Sequence, residues 1–352
     1  MRVLLPITLD RWRHSIATAL RETCIRISDV SFYSFSDPLS EEDRVLGEIV
    51  WAHPHLYRIQ TLDAFRDTFD VVHHASATNR NLTASLGARV RSLGGCRHLF
   101  SAQVEPFKDD PWYWHYRFAI HTAHRLTAVS KVVADSVKKH FGRSVDAIIP
   151  NGVDLTFFSR EAAHEINLGN LGFGKPYVVF AAHLEPRKRP DIFVEISKLL
   201  PEVDFVMLGG YSNRAERDRY LALVRHRPNV HYLGLQPRTV LRDLYAHAGA
   251  LIFPSEIEGL ALSVIEAQAM GLPVLAQPKT CMPELIEIGT TGWMLPVSDL
   301  KAWAGKITEV LAWSCSESER YRTKSRAVTE KKYSWDVIAP LYREMYLATA
   351  NS

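Results

Sequence analysis

Short apolar runs recur along the whole chain, and the segments between them carry apolar residues at helical spacing. In the first half the runs fall at residues 3–5, 30–33, 70–73, 98–101, 126–129 and 147–149; a second series falls at 177–180, 204–208, 230–233, 250–253 and 273–276. Apolar strands that alternate with helices belong to parallel sheets covered by helices on both faces. Two such series in 352 residues, more than one core usually holds, predict an α/β chain of two doubly wound domains. The stretch 152–175, which contains Gly-Asn-Leu-Gly-Phe-Gly-Lys, reads as the linker.

Composition narrows the function classes. Hydrophobic content of 47% and charged content of 23% are those of an ordinary globular chain. Four scattered cysteines, Cys24, Cys96, Cys281 and Cys315, form no C-x-x-C pair, so neither a metal site nor a disulfide framework is expected. A net charge of +3 is too small to suggest a nucleic-acid partner. No apolar run reaches membrane-spanning length, and M-R-V-L-L-P is too short for a signal peptide, which sets the expectation of a cytoplasmic protein. Basic residues do cluster, with Arg80, Arg89, Arg91 and Arg97 in one stretch and Lys131, Lys138, Lys139 and Arg143 in another. The ordinary reading is a solvated helix face; the alternative is contact with anionic lipid headgroups, a peripheral association with the inner face of a membrane that would suit a lipid-linked acceptor.

One segment carries chemistry. Residues 253–271 read F-P-S-E-I-E-G-L-A-L-S-V-I-E-A-Q-A-M-G, directly after the apolar run that ends at Phe253. Glu258 then lies in a strand-to-helix loop, and Glu266 about two turns down the helix among Ile265, Ala267, Ala269 and Met270, where a charge is costly without a partner. The first helical amides, near Leu260, Ala261 and Leu262, have no intrahelical acceptor, and Gly259 lets a ligand come close to the main chain. Amides and helix dipole suit a diphosphate, whereas a carboxylate suits the vicinal hydroxyls of a sugar or ribose. Taken singly, each glutamate also reads as a solvated charge at a helix end.

The string S-E-x-E-G-L-x-L-x-x-x-E-A-x-A-x-G-x-P-V resembles the donor-binding signature of the family 4 retaining glycosyltransferases, enzymes of GT-B fold that use nucleotide-sugars. Residues 283–286 and 289–293 resemble that family's following acidic turn and T-G segment, and I-I-P-N-G-V-D-L-T-F-F at 148–158 resembles its domain-joining stretch. The resemblance is strong from Ile148 to about Tyr346 and weaker before it. It implies a GT-B architecture: an acceptor-binding domain at 1–155, a donor-binding domain at 170–333, and a last helix at about 334–352 that packs back on the first domain. It also implies that Glu258 holds donor-sugar hydroxyls, that Glu266 holds the ribose, and that Lys188, in A-A-H-L-E-P-R-K-R-P after the run at 177–180, neutralises the leaving diphosphate without a metal ion. No cofactor is implied beyond the nucleoside diphosphate sugar itself. Arg187, Lys188 and Arg189 also read as a plain solvated basic turn.

The chain departs from that family in three places. His183 stands where an arginine is expected, so either His183 is protonated or Arg187 or Arg189 reaches in; loss of one preorganised donor costs on the order of a hundredfold to a thousandfold in rate. The first loop, 5–14, has no glycine and offers Arg11, Arg13 or His14 instead, which read equally as surface residues at a helix start. Gln103 takes the place of a histidine near the donor sugar; it hydrogen-bonds a hydroxyl but cannot titrate as a base. His73 and His74 resemble a strand-end feature of the family, for which a structural role in the cleft wall is expected, and Glu105 is a polar candidate without a motif. The expected activity is retaining, metal-independent transfer of a sugar from a nucleoside diphosphate sugar to a hydroxyl acceptor, glycan, lipid-linked or small; the alternative is a degenerate GT-B protein that binds a nucleotide, glycan or partner enzyme without transfer.

Overall fold

A computed structural model of the protein describes residues 1–8, 15–35, 54–59, 67–75, 95–105, 113–165, 168–174, 176–211 and 213–352. They divide into two compact units, Met1–Gly152 with Trp335–Ser352, and Val153–Ser334. Each is a parallel sheet with interleaved helices, an α/β fold of doubly wound type.

The first unit has strands β1 (Arg2–Thr8), β2 (Ser31–Phe35), β3 (Leu56–Ile59), β4 (Val71–His74), β5 (Arg97–Ala102), β6 (Arg125–Ala128) and β7 (Ala147–Ile148). They lie in the order β3-β2-β1-β4-β5-β6-β7. Strand β3 was not expected from sequence, because L-Y-R-I carries an arginine and stands at the sheet edge, where burial on both faces is not required. Pro6 lies inside β1, yet proline has no N–H for a ladder. The chain accommodates it with a register shift against β2 between Leu5 and Thr8, and β1 pairs with β4 only at Val3 and Leu4.

The last helix, Trp335–Ala350, belongs to this unit and puts Trp335, Ile338, Tyr342 and Tyr346 into a core with Val3, Leu5, Phe32, Val71 and Leu99. His73 fastens it. Its Nδ1 lies 2.8 Å from Tyr346 Oη and its Nε2 2.7 Å from Ser101 Oγ, which in turn is 2.6 Å from Thr127 Oγ1. A fully buried imidazole with both nitrogens engaged is a structural tie between β4, β5, β6 and the helix.

The second unit has strands β8 (Tyr177–Ala181), β9 (Asp204–Leu208), β10 (Val230–Gly234), β11 (Leu251–Phe253), β12 (Val274–Ala276) and β13 (Gly292–Met294), in the order β10-β9-β8-β11-β12-β13. Every residue of β8 and β9 is buried, which is why β8, and β9 after its first residue Asp204, read as unbroken apolar runs. Strand β13 escaped the sequence reading because it is three residues long and opens on glycine. The glycine is needed: a Cβ on Gly292 would stand 2.3 Å from Val274 O of the neighbouring strand.

The stretch expected to be a linker is built into this unit. Phe158 is fully buried, Val153 N donates to Tyr333 O at 2.7 Å, and Arg326 donates to the carbonyls of Leu155, Phe158 and Ala269. The boundary therefore falls at Gly152 and Val153.

The strand order reverses between β8 and β11. The chain after β8 goes on toward β9 and the chain after β11 toward β12, so the two connections run in opposite directions from a shared position beyond the carboxyl ends of these two strands, where a crevice is expected.

Candidate functional site

Two loops meet at that crevice. The loop after β8 ends in a 3₁₀ turn, Pro186–Lys188, followed by Arg189 in the left-handed region at φ 53° and the helix Pro190–Ser197. The loop after β11 runs over 254–261 to the helix Leu262–Ala269. Backbone and side chains stitch them together. Arg187 O accepts from Glu256 N at 2.8 Å and from Ser255 Oγ at 3.2 Å, while Arg187 Nη1 donates to Ile257 O at 3.1 Å. Arg189 Nη1 reaches Glu256 Oε1 at 2.7 Å and its other nitrogens hold Asp191. These pairs and hydrogen bonds hold the Arg189 guanidinium firmly in its charged form against the opposing effect of burial.

Lys188 and Glu258 meet within this frame. Lys188 Nζ donates to Glu258 Oε1, their side chains only 12% and 6% exposed, and Arg187 Nη1 stands 3.9 Å from Glu258 Oε2. Charges so far removed from water require partners, and each supplies the other's. Arg187 itself is held by Glu185, with Nε 2.8 Å from one oxygen and Nη2 3.3 Å from the other.

Beyond Glu258 the helix begins later than the sequence suggested. Residues 254–261 are not helical, so Glu266 lies one turn into the helix Leu262–Ala269, not two. Ala261 stands at its N-cap without a side-chain hydrogen bond to the first turn. Gly259, Leu260, Ala261 and Leu262 thus lead directly from the Lys188–Glu258 pair to the positive end of the helix.

Glu266 has found the partner its apolar setting demands. Arg238 Nη2 donates to Glu266 Oε1 at 2.9 Å, and the Arg238 guanidinium lies over Phe158 at 5.0 Å and Phe157 at 5.8 Å. Burial pushes the Glu266 carboxyl upward and Arg238 opposes it. Tyr245, also buried, is raised by burial and then by the Glu266 charge. The sequence reading missed Arg238 and Tyr245. A signal was present: in the helix Arg238–His247 they stand seven apart, on one face.

Cys281 was also missed. It is fully buried, and its thiol is pushed up to about 12 by burial first and by Glu258 next, while the Ala261 amide opposes the rise. The preceding Thr280 is held at φ 51°, strained for a β-branched residue, with Oγ1 buried and unpartnered.

The remaining candidates are dispersed. His183 is exposed and its imidazole packs against Gly210, where an added Cβ would approach Cε1 to 3.2 Å. Gln103 belongs to the first unit, just past β5; it is 8% exposed and its Oε1 accepts from Asn151 Nδ2 at 2.9 Å. Glu105 is raised by burial, with Lys139 in opposition. Arg11, Arg13, His14, Arg80, Arg89 and Arg91 lie outside the described residues. Among the described residues no group of three or more His, Cys, Asp or Glu is placed to hold a metal ion, and no helix is long and apolar enough to cross a membrane.

Comparison with known proteins adds the lineage. Residues 166–328 match the family model of Glycosyl transferases group 1, and residues 28–157 match that of Glycosyltransferase Family 4. D-inositol 3-phosphate glycosyltransferase of Xylanimonas cellulosilytica is 30% identical over 238 residues, 63% of this chain and 56% of that protein; for the Mycobacterium leprae protein of that name the share of its length is 45%. The match thus spans about half the length of these curated relatives. Among solved structures, HepE of Anabaena, crystallised with UDP and glucose, has a TM-score of 0.76 at 14% identity, covering 99% of this chain and 100% of its own. Sucrose-phosphate synthase from Thermosynechococcus elongatus has a TM-score of 0.74 at 16% identity, with the same coverage. Such identities speak for fold, and the two family models, side by side along the sequence, speak for descent: this chain belongs to the family 4 glycosyltransferases of GT-B fold.

Proposed function

We propose that this protein transfers a sugar from a nucleoside diphosphate sugar to a hydroxyl acceptor, with retention at the anomeric carbon and without a metal ion. The observation that carries the reading is the contact of Lys188 with Glu258 between two loops at the strand-order reversal, one step from the N-terminus of the helix Leu262–Ala269. In this reading the amides near Ala261 and Leu262 hold the diphosphate, and Glu266 holds the ribose. Lys188 and Glu258 exchange partners on binding. The ammonium turns to the diphosphate and the carboxylate to donor-sugar hydroxyls, so neither charge is left buried and unpaired. Lys188 and Arg187 then meet the negative charge that grows on the leaving group, which is the task a metal would otherwise have. His183 belongs to the proposal as an outlying contact to the donor. That solved structures of like fold hold UDP or UDP-glucose favours a nucleotide-sugar donor.

The test is a panel of UDP-, GDP- and ADP-sugars assayed for binding, slow hydrolysis and transfer, in the presence and absence of a chelator, with product configuration read by NMR. Lys188→Ala and Glu258→Gln are expected to lose on the order of a hundredfold to a thousandfold in rate. Absence of nucleotide binding, or variants that behave as wild type, overturns the assignment. Binding without turnover across plausible acceptors identifies the degenerate alternative.

A further inference from the structure

We propose that the helix Tyr113–Thr122, with the adjoining helix Lys131–Phe141, is the face by which this protein lies on an anionic lipid bilayer. In Y-W-H-Y-R-F-A-I-H-T, positions 114, 117, 118 and 121 share one helical stripe. The structure leaves that whole stripe exposed, with Trp114 at 71% and Phe118 at 53%. These two are not unfinished core, since the opposite face is already filled. Ala119 and Ile120 are buried, Tyr116 packs on Phe100 of β5 at 6.1 Å, and Tyr113 stacks on Phe141 of the neighbouring helix at 5.2 Å.

Charge selects the partner. The helix Tyr113–Thr122 has no acidic residue, and between its exposed aromatics and beyond them stand Arg117 and His121, with Arg117 over the Trp114 ring at 5.9 Å. Tyr113 and His121 both touch Phe141, which places the exposed Lys138, one turn before Phe141 on the same face, beside this stripe, with the exposed Lys139 next to it in the last turn of Lys131–Phe141. The acidic residue of that helix, Asp135, is engaged by Lys131 at 3.0 Å, and Glu105 faces Lys139. Arg143 closes the other end of the stripe's helix through the carbonyls of Ile120 and Ala123.

Exposed aromatics one turn apart, with Arg117 between them and no acidic residue on their helix, offer nothing to complement a basic partner. They match a bilayer interface, where Trp and Phe sit at headgroup depth and the basic residues reach anionic phosphates. The occupant is thus an anionic lipid surface.

The experiment is co-sedimentation of the full chain with vesicles of phosphatidylcholine alone or mixed with phosphatidylglycerol, at low and high salt. It needs no sugar transfer, so its failure leaves the proposed activity untouched. Wild type is expected to bind only the mixed vesicles and to release in salt. Trp114→Ser with Phe118→Ser, and separately Lys138→Glu with Lys139→Glu, are each expected to weaken binding at least about tenfold, with circular dichroism and nucleotide binding unchanged. Trp114→Phe, which keeps the apolar body, is expected to bind while losing the vesicle-induced blue shift of tryptophan fluorescence. The proposal is overturned if wild type ignores phosphatidylglycerol, if the aromatic variant binds as wild type, or if the stripe instead holds two copies together, seen as a dimer that Trp114→Ser with Phe118→Ser abolishes.

Discussion

Lys188 and Glu258, seventy residues apart in sequence, are joined by an ion pair that both units of charge need, because each side chain is nearly removed from water. They meet because β8 and β11 are neighbours where the strand order reverses, so the loops leaving them face one another. A pair so placed ties the two loops together in the free protein.

The pair should be measurable as a coupling. Lys188→Met leaves Glu258 with Arg187 at 3.9 Å as the nearest cation, and a loss of about 1–3 kcal/mol is expected. Combined with Glu258→Gln the losses should fall short of additivity by about 0.5–3 kcal/mol. Urea unfolding of the four proteins reads the cycle, and strict additivity would show that the contact has no energetic weight.

Arg238 is expected to control Glu266. Burial raises the Glu266 carboxyl and Arg238 opposes the rise, so Arg238→Met removes the opposing influence and leaves more of the carboxyl protonated at a given pH. If Glu266 holds the ribose as a carboxylate, nucleotide affinity of the variant should fall as pH is lowered and recover as it is raised, with Arg238→Lys intermediate. Calorimetric titrations across pH test this; a pH-independent loss would assign Arg238 to packing on Phe157 and Phe158 alone.

Acid should weaken the first unit through its buried histidines. His73 and His74 are depressed from 6.5 to about 3, by burial first and by neighbouring imidazoles second. Their neutral forms are favoured by folding, so the stability they contribute is present above the unfolded value of 6.5 and is lost as pH falls through the window down to about 3. At pH 5 each contributes a loss on the order of 2 kcal/mol. Thermal unfolding from pH 7.5 to 4 should show the decline, and His74→Phe should flatten it.

Two glycines separate strain from collision. Gly209 sits at φ 145° with an added Cβ only 1.8 Å from Ala182 O, a backbone atom, whereas Gly142 at φ 69° has open space. Gly209→Ala is expected to cost about 2–4 kcal/mol and Gly142→Ala about 1 kcal/mol. Chemical denaturation distinguishes them; equal losses would mean that the end of β9 yields around the new methyl.

The sequence by itself determined the strands that are buried on both faces, because an unbroken apolar run bounded by turn residues has few other places to go. It determined the doubly wound class through the alternation of those runs with helices, and it marked Glu258 and Glu266, because carboxylates among small apolar residues are locally anomalous, whereas Lys188 was marked only by the resemblance to family 4. Edge strands escaped it: Leu56–Ile59 needs no unbroken apolar run, and Gly292–Met294 is recognisable only once Val274 lies against it. The partners of the charges were equally out of reach. That Glu258 is neutralised by Lys188, that Glu266 is neutralised by Arg238, and that Trp114 and Phe118 face outward from a filled core are consequences of strand order and helix packing over separations of tens of residues. Local pattern can say that a buried charge must be satisfied, and only the tertiary structure decides by what.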